Sequence, residues 1–375
     1  MERTSEMGET GDWSIDSHSG RDGTTGAPAV LTAETVDGYW DALMARDESA
    51  ALATAWSALD CGVPAETVVL DLVGAAQSRV GAEWAANLLT VAQEHAATAL
   101  GDRVLAALGG HPGYRRHAPA PRGRVTVACV DGEWHAMPAR LLAEVLSLGG
   151  WRVDFLGAHV PGPHLISHLH ESGPDVVALS ATLALRLPDA HAAITACQAA
   201  SVPVLAGGAA FGPHGEYARL LGADAWAGDA RAALAVLDRP LPRPRPPHQA
   251  VDDLPHLADQ EYTHVAANRS RIVSAIVAAL QEQVPAMRDY TPQQMQYTIE
   301  DIDHIVRFLA SALYVDDAAL FAGFIAWTRA ILSDRGVPPH ALTSALDLLG
   351  TQLRDFPRAT SLNAAGHAAM EARAA

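Results

Sequence analysis

A chain of 375 residues is long enough for two or three domains, and with 49% apolar residues it has the material to pack them. Its formal net charge of −17 repels phosphate backbones and anionic lipid, so no direct DNA binding and no membrane binding is expected. All 26 basic residues are arginine, which excludes lysine Schiff-base chemistry, and three scattered cysteines (Cys61, Cys129, Cys197) fit a reducing cytoplasm.

Residues 1–28 are polar and rich in Gly, Ser and Thr, which predicts a disordered tail with no helix-turn-helix. No signal-peptide pattern is present there, and no apolar run anywhere approaches the ~20 residues of a membrane span. Over residues 30–110, Ala/Leu periodicity predicts helices at 33–46, 48–60, 65–79 and 88–108, joined by short connections into a four-helix bundle. "HPGYRRHAPAP" (111–121) reads as a linker. Between 122 and 238 the pattern changes. Short valine- and leucine-rich runs at 124–130, 151–157, 175–182, 202–208 and 223–229 alternate with helical segments near 136–149, 163–172, 187–200, 214–222 and 230–238. That alternation predicts a doubly wound, Rossmann-like parallel sheet, with ligands bound outside the carboxyl ends of its strands. A Pro/Arg-rich linker at 239–256 follows, containing "RPLPRPRPPHQ". Residues 257–375 return to helical periodicity and form a separate all-α domain of at least four or five helices. The fold class expected is therefore α/β plus all-α.

The first strand ends in "DGEWHAMP", which places His135 on a loop at the ligand edge, ahead of a helix. Glu133, two residues earlier, can hydrogen-bond one ring nitrogen, fix the tautomer and make the other nitrogen a better metal ligand. Ser180 and Thr182 end the third strand on the same edge, and Gly207-Gly208 ends the fourth, where the missing side chains admit a large group close to the backbone. An isolated loop histidine is ordinarily a surface residue; these three further features on one edge weigh against that reading.

These elements resemble the cobalamin-binding signature of the methionine-synthase type of B12 domain: DxHxxG, about 41 residues, SxL or SxT, 24–28 residues, then GG. Here residues 139–179 (41) separate Pro138 from Ser180, and residues 183–206 (24) separate Thr182 from Gly207. Glu133 replaces the signature's Asp, and Pro138 its last Gly. The resemblance implies that His135 is the lower axial ligand of cobalt, replacing the cofactor's own benzimidazole. The displaced nucleotide tail would lie in a slot lined by small hydroxyl and glycine residues.

A second stretch, 80–98, holds Trp84, then nine residues, then Glu94-His95. It resembles the four-helix cap of CarH-type photoreceptors, in which Trp and Glu cover the upper corrin face and its 5′-deoxyadenosyl group, and light breaks the cobalt–carbon bond. Those proteins carry an N-terminal DNA-binding domain and a histidine directly after the Trp; here that position is Ala85. The order of cap, B12 domain and C-terminal helices resembles the photocobilins, which bind adenosylcobalamin together with a bilin such as biliverdin. The C-terminal part then looks like a globin-like sensor domain.

A bilin needs arginines for its propionates, aromatic faces for its rings and a polar group near its nitrogens. Arg271, Arg288, Tyr290, Tyr297, Asp303, His304, Arg307, Trp327 and Arg329 are the candidates. Asp303 and Arg307, at i, i+4, equally suit an ordinary surface ion pair. No cysteine follows Cys197, so a bilin here would be noncovalent. The expected function is a cytoplasmic, non-enzymatic photoreceptor that signals through a homo-oligomer, a light-dependent change of assembly or a partner protein. A corrinoid methyl carrier and a non-photic cobalamin or stress sensor are the alternatives.

Overall fold

The structure is a computed structural model, and it describes residues 29–114, 122–242, 244 and 253–371. The expected disordered tail, residues 115–121 of the first linker and half of the Pro/Arg-rich linker lie outside the described residues.

Four helical rods come first. Helix α1 (Ala33–Ala45) begins where the Thr32 side chain accepts the Thr35 N–H, and α2 (Glu48–Asp60) begins where Asp47 does the same for Ala50. The third rod changes pitch along its length. It runs from α3 (Ala65–Thr67) through a π-helical stretch (Val68–Gly74) into α4 (Ala75–Ala85), beyond the end at 79 that periodicity predicts. Helix α5 (Val91–Leu108) starts three residues later than predicted, because Thr90 and Gln93 form a reciprocal capping box there. Trp84 therefore sits in the last turn of α4, and Glu94 and His95 in the first turn of α5.

The central layer is a five-stranded, all-parallel sheet of β1 (Arg124–Cys129), β2 (Arg152–Gly157), β3 (Val176–Ser180), β4 (Val204–Gly207) and β5 (Ala225–Ala227), in the order β2-β1-β3-β4-β5. Helices α6 (Ala136–Leu148), α7 (Gly162–Ser172), α8 (Leu187–Ala199), α9 (Glu216–Leu220) and α10 (Ala230–Val236) make the crossovers. β1 and β3 are buried along almost their whole length, as expected for strands covered on both faces. In this order the chain turns one way from β1 to β2 and the other way from β3 onward. That leaves a crevice at the carboxyl ends of β1 and β3.

The remaining helices are α11 (Glu261–Ala267), α12 (Arg269–Gln283), α13 (Pro292–Val315), α14 (Ala318–Asp334), α15 (Pro339–Gln352) and α16 (Pro357–Glu371). They bury a core of their own around Val306, Leu309, Phe321, Ile325 and Leu346. They also share one: Leu254, Leu257, Tyr314 and Val315 pack into the same cluster as Leu187, Ile194 and Phe211 of the sheet region. The N-terminal rods meet the sheet differently. Val145 of α6 enters their core, and Arg231 of α10 reaches Glu66 at 2.7 Å and both carboxylate oxygens of Asp71 at 2.7 and 3.0 Å.

Candidate functional site

The loop leaving β1 is organised around one carboxylate. Glu133 is 1% exposed, and its two oxygens carry four bonds. Oε1 accepts the backbone N–H of His135 at 2.9 Å and meets His135 Nδ1 at 2.6 Å; Oε2 accepts the N–H groups of Thr182 at 2.8 Å and Leu183 at 3.1 Å. The carboxylate thus ties the loop after β1 to the loop after β3, across the switch point of the sheet. Burial pushes its pKa up, but the bonds from His135, Thr182 and Leu183 outweigh this and bring it down to about 2. Glu133 stays ionised at any physiological pH.

His135 stands at the N-terminus of α6 with its ring 54% exposed. The bond to Glu133 raises its pKa, partly offset by burial, and the charge of Glu94 raises it further. With Nδ1 engaged by the carboxylate, Nε2 is the nitrogen left for a metal. Arg186 lies against the same loop: a Cβ on Gly132 would overlap its guanidinium.

Beside this loop is a cavity of about 310 Å³ between the sheet edge and the N-terminal rods. Ser180, Gly207, Gly208 and Pro138 line one side, and Gly74, Ala75 and Ser78 of the third rod line the other. The glycines keep it open. Gly208 has φ +100°, and a Cβ there would overlap the carbonyl of Ala181. Of the four residues expected to line a tail slot, Ser180, Gly207 and Gly208 do so; Thr182 instead contributes its main-chain N–H to Glu133. The rod residues and the Gly228-Asp229 turn were not singled out from the sequence, where "VGAAQS" reads as ordinary helix.

Above the loop, Trp84 packs with Trp40, Val80, Leu89 and Ala97, and Ala97 is one turn along α5 from Glu94. Glu94 is hydrogen-bonded to the ring of His95 and to Thr98 Oγ1, the latter at 3.0 Å. Its charge reaches His135. The first turn of α5 therefore lies close enough to His135 for the two charges to interact.

The C-terminal candidates do not converge to the same degree. On α13, Asp303 pairs with Arg269 at 3.1 Å and not with Arg307. Arg307 is half-buried; burial and the neighbouring Arg186 both lower its pKa, which places it beside the β3 loop. Tyr297, His304 and Trp327 are exposed, and Arg329 donates to the carbonyl of Met370 at 2.8 Å. Phe308 and Phe324 stack at 3.7 Å, with Trp327 6.1 Å from Phe324. Among the described residues no cluster of three or more His, Cys, Asp or Glu side chains could hold a metal ion, and no helix is long and apolar enough to cross a membrane.

Two B12 binding domain families match the chain, one over residues 123–238 and one over residues 35–108. The HTH-type transcriptional repressor CarA of Myxococcus xanthus is 38% identical over 132 residues, which cover 34% of this chain and 43% of that protein. The chain thus matches less than half the length of this relative. Among solved structures, the monomethylamine corrinoid protein of Methanosarcina barkeri aligns with 54% of this chain and 97% of its own, at 20% identity and a TM-score of 0.45. The methanol:cobalamin methyltransferase complex MtaBC of Methanosarcina barkeri aligns with 56% and 80%, at 14% identity and a TM-score of 0.30. One expectation is corrected here. Net charge argued against direct DNA binding, yet a relative is an HTH-type repressor, a class that reads DNA through its recognition helix. A charge of −17 is a sum over the whole chain and does not describe any one surface.

Proposed function

We propose that the chain is a light-sensing protein that holds adenosylcobalamin with His135 as the lower axial ligand. The observation that carries this reading is the Glu133–His135 pair on the same sheet edge whose Ser180, Gly207 and Gly208 line a cavity of about 310 Å³. One imidazole cannot hold a bare metal ion; it suits a metal whose other ligands come from a macrocycle. Glu133 holds the ring in one tautomer and orientation, so Nε2 is presented without a search. Ser180, Gly207, Gly208, Gly74 and Ser78 leave room for a long, polar tail beside the sheet, and their small size is what the cavity consists of. Trp84 supplies a flat apolar wall and Glu94 a hydrogen-bonding carboxylate close to His135, a pairing suited to an adenosine. The bound cofactor supplies a cobalt–carbon bond that light can break.

The C-terminal helices are the seat of a second, noncovalent chromophore of the bilin type in this reading. Support comes from the aromatic run of Phe308, Phe324 and Trp327, from exposed Tyr297 and from Arg307, which has no hydrogen-bond partner among the described residues. The output is a change of assembly or of partner. The test is one absorbance experiment. Protein purified in darkness with adenosylcobalamin and biliverdin is desalted, and spectra are taken before and after green light, then red. Co-elution of both chromophores with light conversion of the cobalamin band is the expected result, and His135→Ala removes the cobalamin. Retention of cobalamin without photoconversion returns the chain to the carrier or non-photic reading; retention of neither ends the reading.

A further inference from the structure

Among the described residues, the C-terminal helices meet the N-terminal rods beside Trp84. The guanidinium carbon of Arg335 lies 5.1 Å from the centre of the Trp84 ring, and Asn87 Nδ2 donates to the carbonyl of Asp334 at 3.2 Å. Asp334 ends α14 and Arg335 caps it; Trp84 lies in the last turn of α4 and Asn87 just beyond it. The other attachment of the C-terminal helices is to the sheet. There Tyr314 joins the common core and meets His191 Nδ1 at 2.9 Å, and Tyr217 donates to Asp317 at 2.6 Å. One attachment is buried and apolar, the other thin and solvent-reached. A displacement of Trp84 would break the second and spare the first.

We propose that Arg335 is a positioning residue for Trp84, through which the C-terminal helices sense what stands over the open face of the group bound at His135. This rests on the site reading above. A large upper substituent keeps Trp84 in its wall and the cation over its ring; a small one frees Trp84 and releases the end of α14. The residues that report the change are Arg335, Gly336 and Val337. Their amides bond back to Ile331, Leu332 and Ser333.

The experiment is hydrogen exchange on the full chain loaded with adenosylcobalamin or with hydroxocobalamin, in darkness. The expected result is that amides at 335–337 exchange about threefold to fivefold more slowly under adenosylcobalamin, the range a single exposed cation–π contact supports. Arg335→Ala abolishes that ratio, Arg335→Lys keeps part of it, and amides at 191–194 against the sheet do not respond. Arg335 is exposed, so the variants fold. Equal exchange under the two cobalamins, or a ratio unchanged in Arg335→Ala, overturns this inference and leaves the site reading intact. Failure of the wild-type chain to bind either cobalamin overturns both.

Discussion

The two helical layers grip the sheet in opposite ways. On the C-terminal side the contact is continuous core: Tyr314 and Val315 sit among Leu187, Ile194 and Phe211, and His191, itself 1% exposed, bridges Tyr314 and Asp253. On the N-terminal side Val145 also enters the rods' core, but ion pairs through Arg231 and a cavity of about 310 Å³ interrupt the contact. A closed, dry interface fixes two bodies as one. An interface with a hole in it leaves binding energy to be supplied by whatever fills the hole. The continuous core makes the C-terminal helices part of the scaffold, and the cavity marks the N-terminal side as the one open to a ligand.

The sharpest way to break this comparison is Tyr314→Ala. Removing a buried aromatic from the shared core costs about 3–5 kcal/mol, and urea unfolding followed by sheet and C-terminal probes shows both regions shifting together. Separate transitions would mean that the two are independent bodies.

On the open side, acid is the lever. The Glu133 carboxyl sits at about 2, below its unfolded value of ~4.3. Its contribution is therefore full above the unfolded value and lost as pH falls toward 2, roughly 3 kcal/mol in all. His135 works in the other direction. Its raised pKa gives stability at low pH that is lost as pH rises through the folded value. Glu133→Gln should flatten the acid limb between about pH 4.5 and 2 in a pH series of thermal melts. An unchanged limb would show that the four bonds to this carboxylate contribute little.

Gly208→Ala strains a φ of +100° and pushes into the Ala181 carbonyl, for a cost of about 1–3 kcal/mol. It also narrows the cavity, so cobalamin binding should weaken by more than the stability loss accounts for; titration followed by absorbance checks this. The smallest effect is expected at the rim. Arg231 is 46% exposed, and Arg231→Ala costs about 0.2–1 kcal/mol, less at high salt. A larger loss would mean that the N-terminal rods depend on ion pairs and not on the group in the cavity.

Much of the frame was legible in the sequence. Strand ends could be read from runs such as "RVTVACV" because buried parallel strands are apolar throughout, and the spacing of His135, Ser180 and Gly207-Gly208 put all of them at one edge. The unread part is long-range. Nothing local marks that Arg231 meets Asp71, that His191 meets Tyr314 or that Arg335 reaches Trp84, since these partners lie far apart in the chain. The π-helical stretch at Val68–Gly74 was also invisible, because one extra residue per turn hardly alters an Ala/Leu pattern. Thr182 was read for its hydroxyl, while the structure uses its amide, a group every residue but proline offers.

Four bonds to Glu133 have a consequence for timing. They tie the two loops of the switch point together through the protein's own groups, so little backbone freedom remains to be lost when a ligand arrives. A preformed edge of this kind lets association run at a rate set by encounter and leaves affinity to be decided by dissociation.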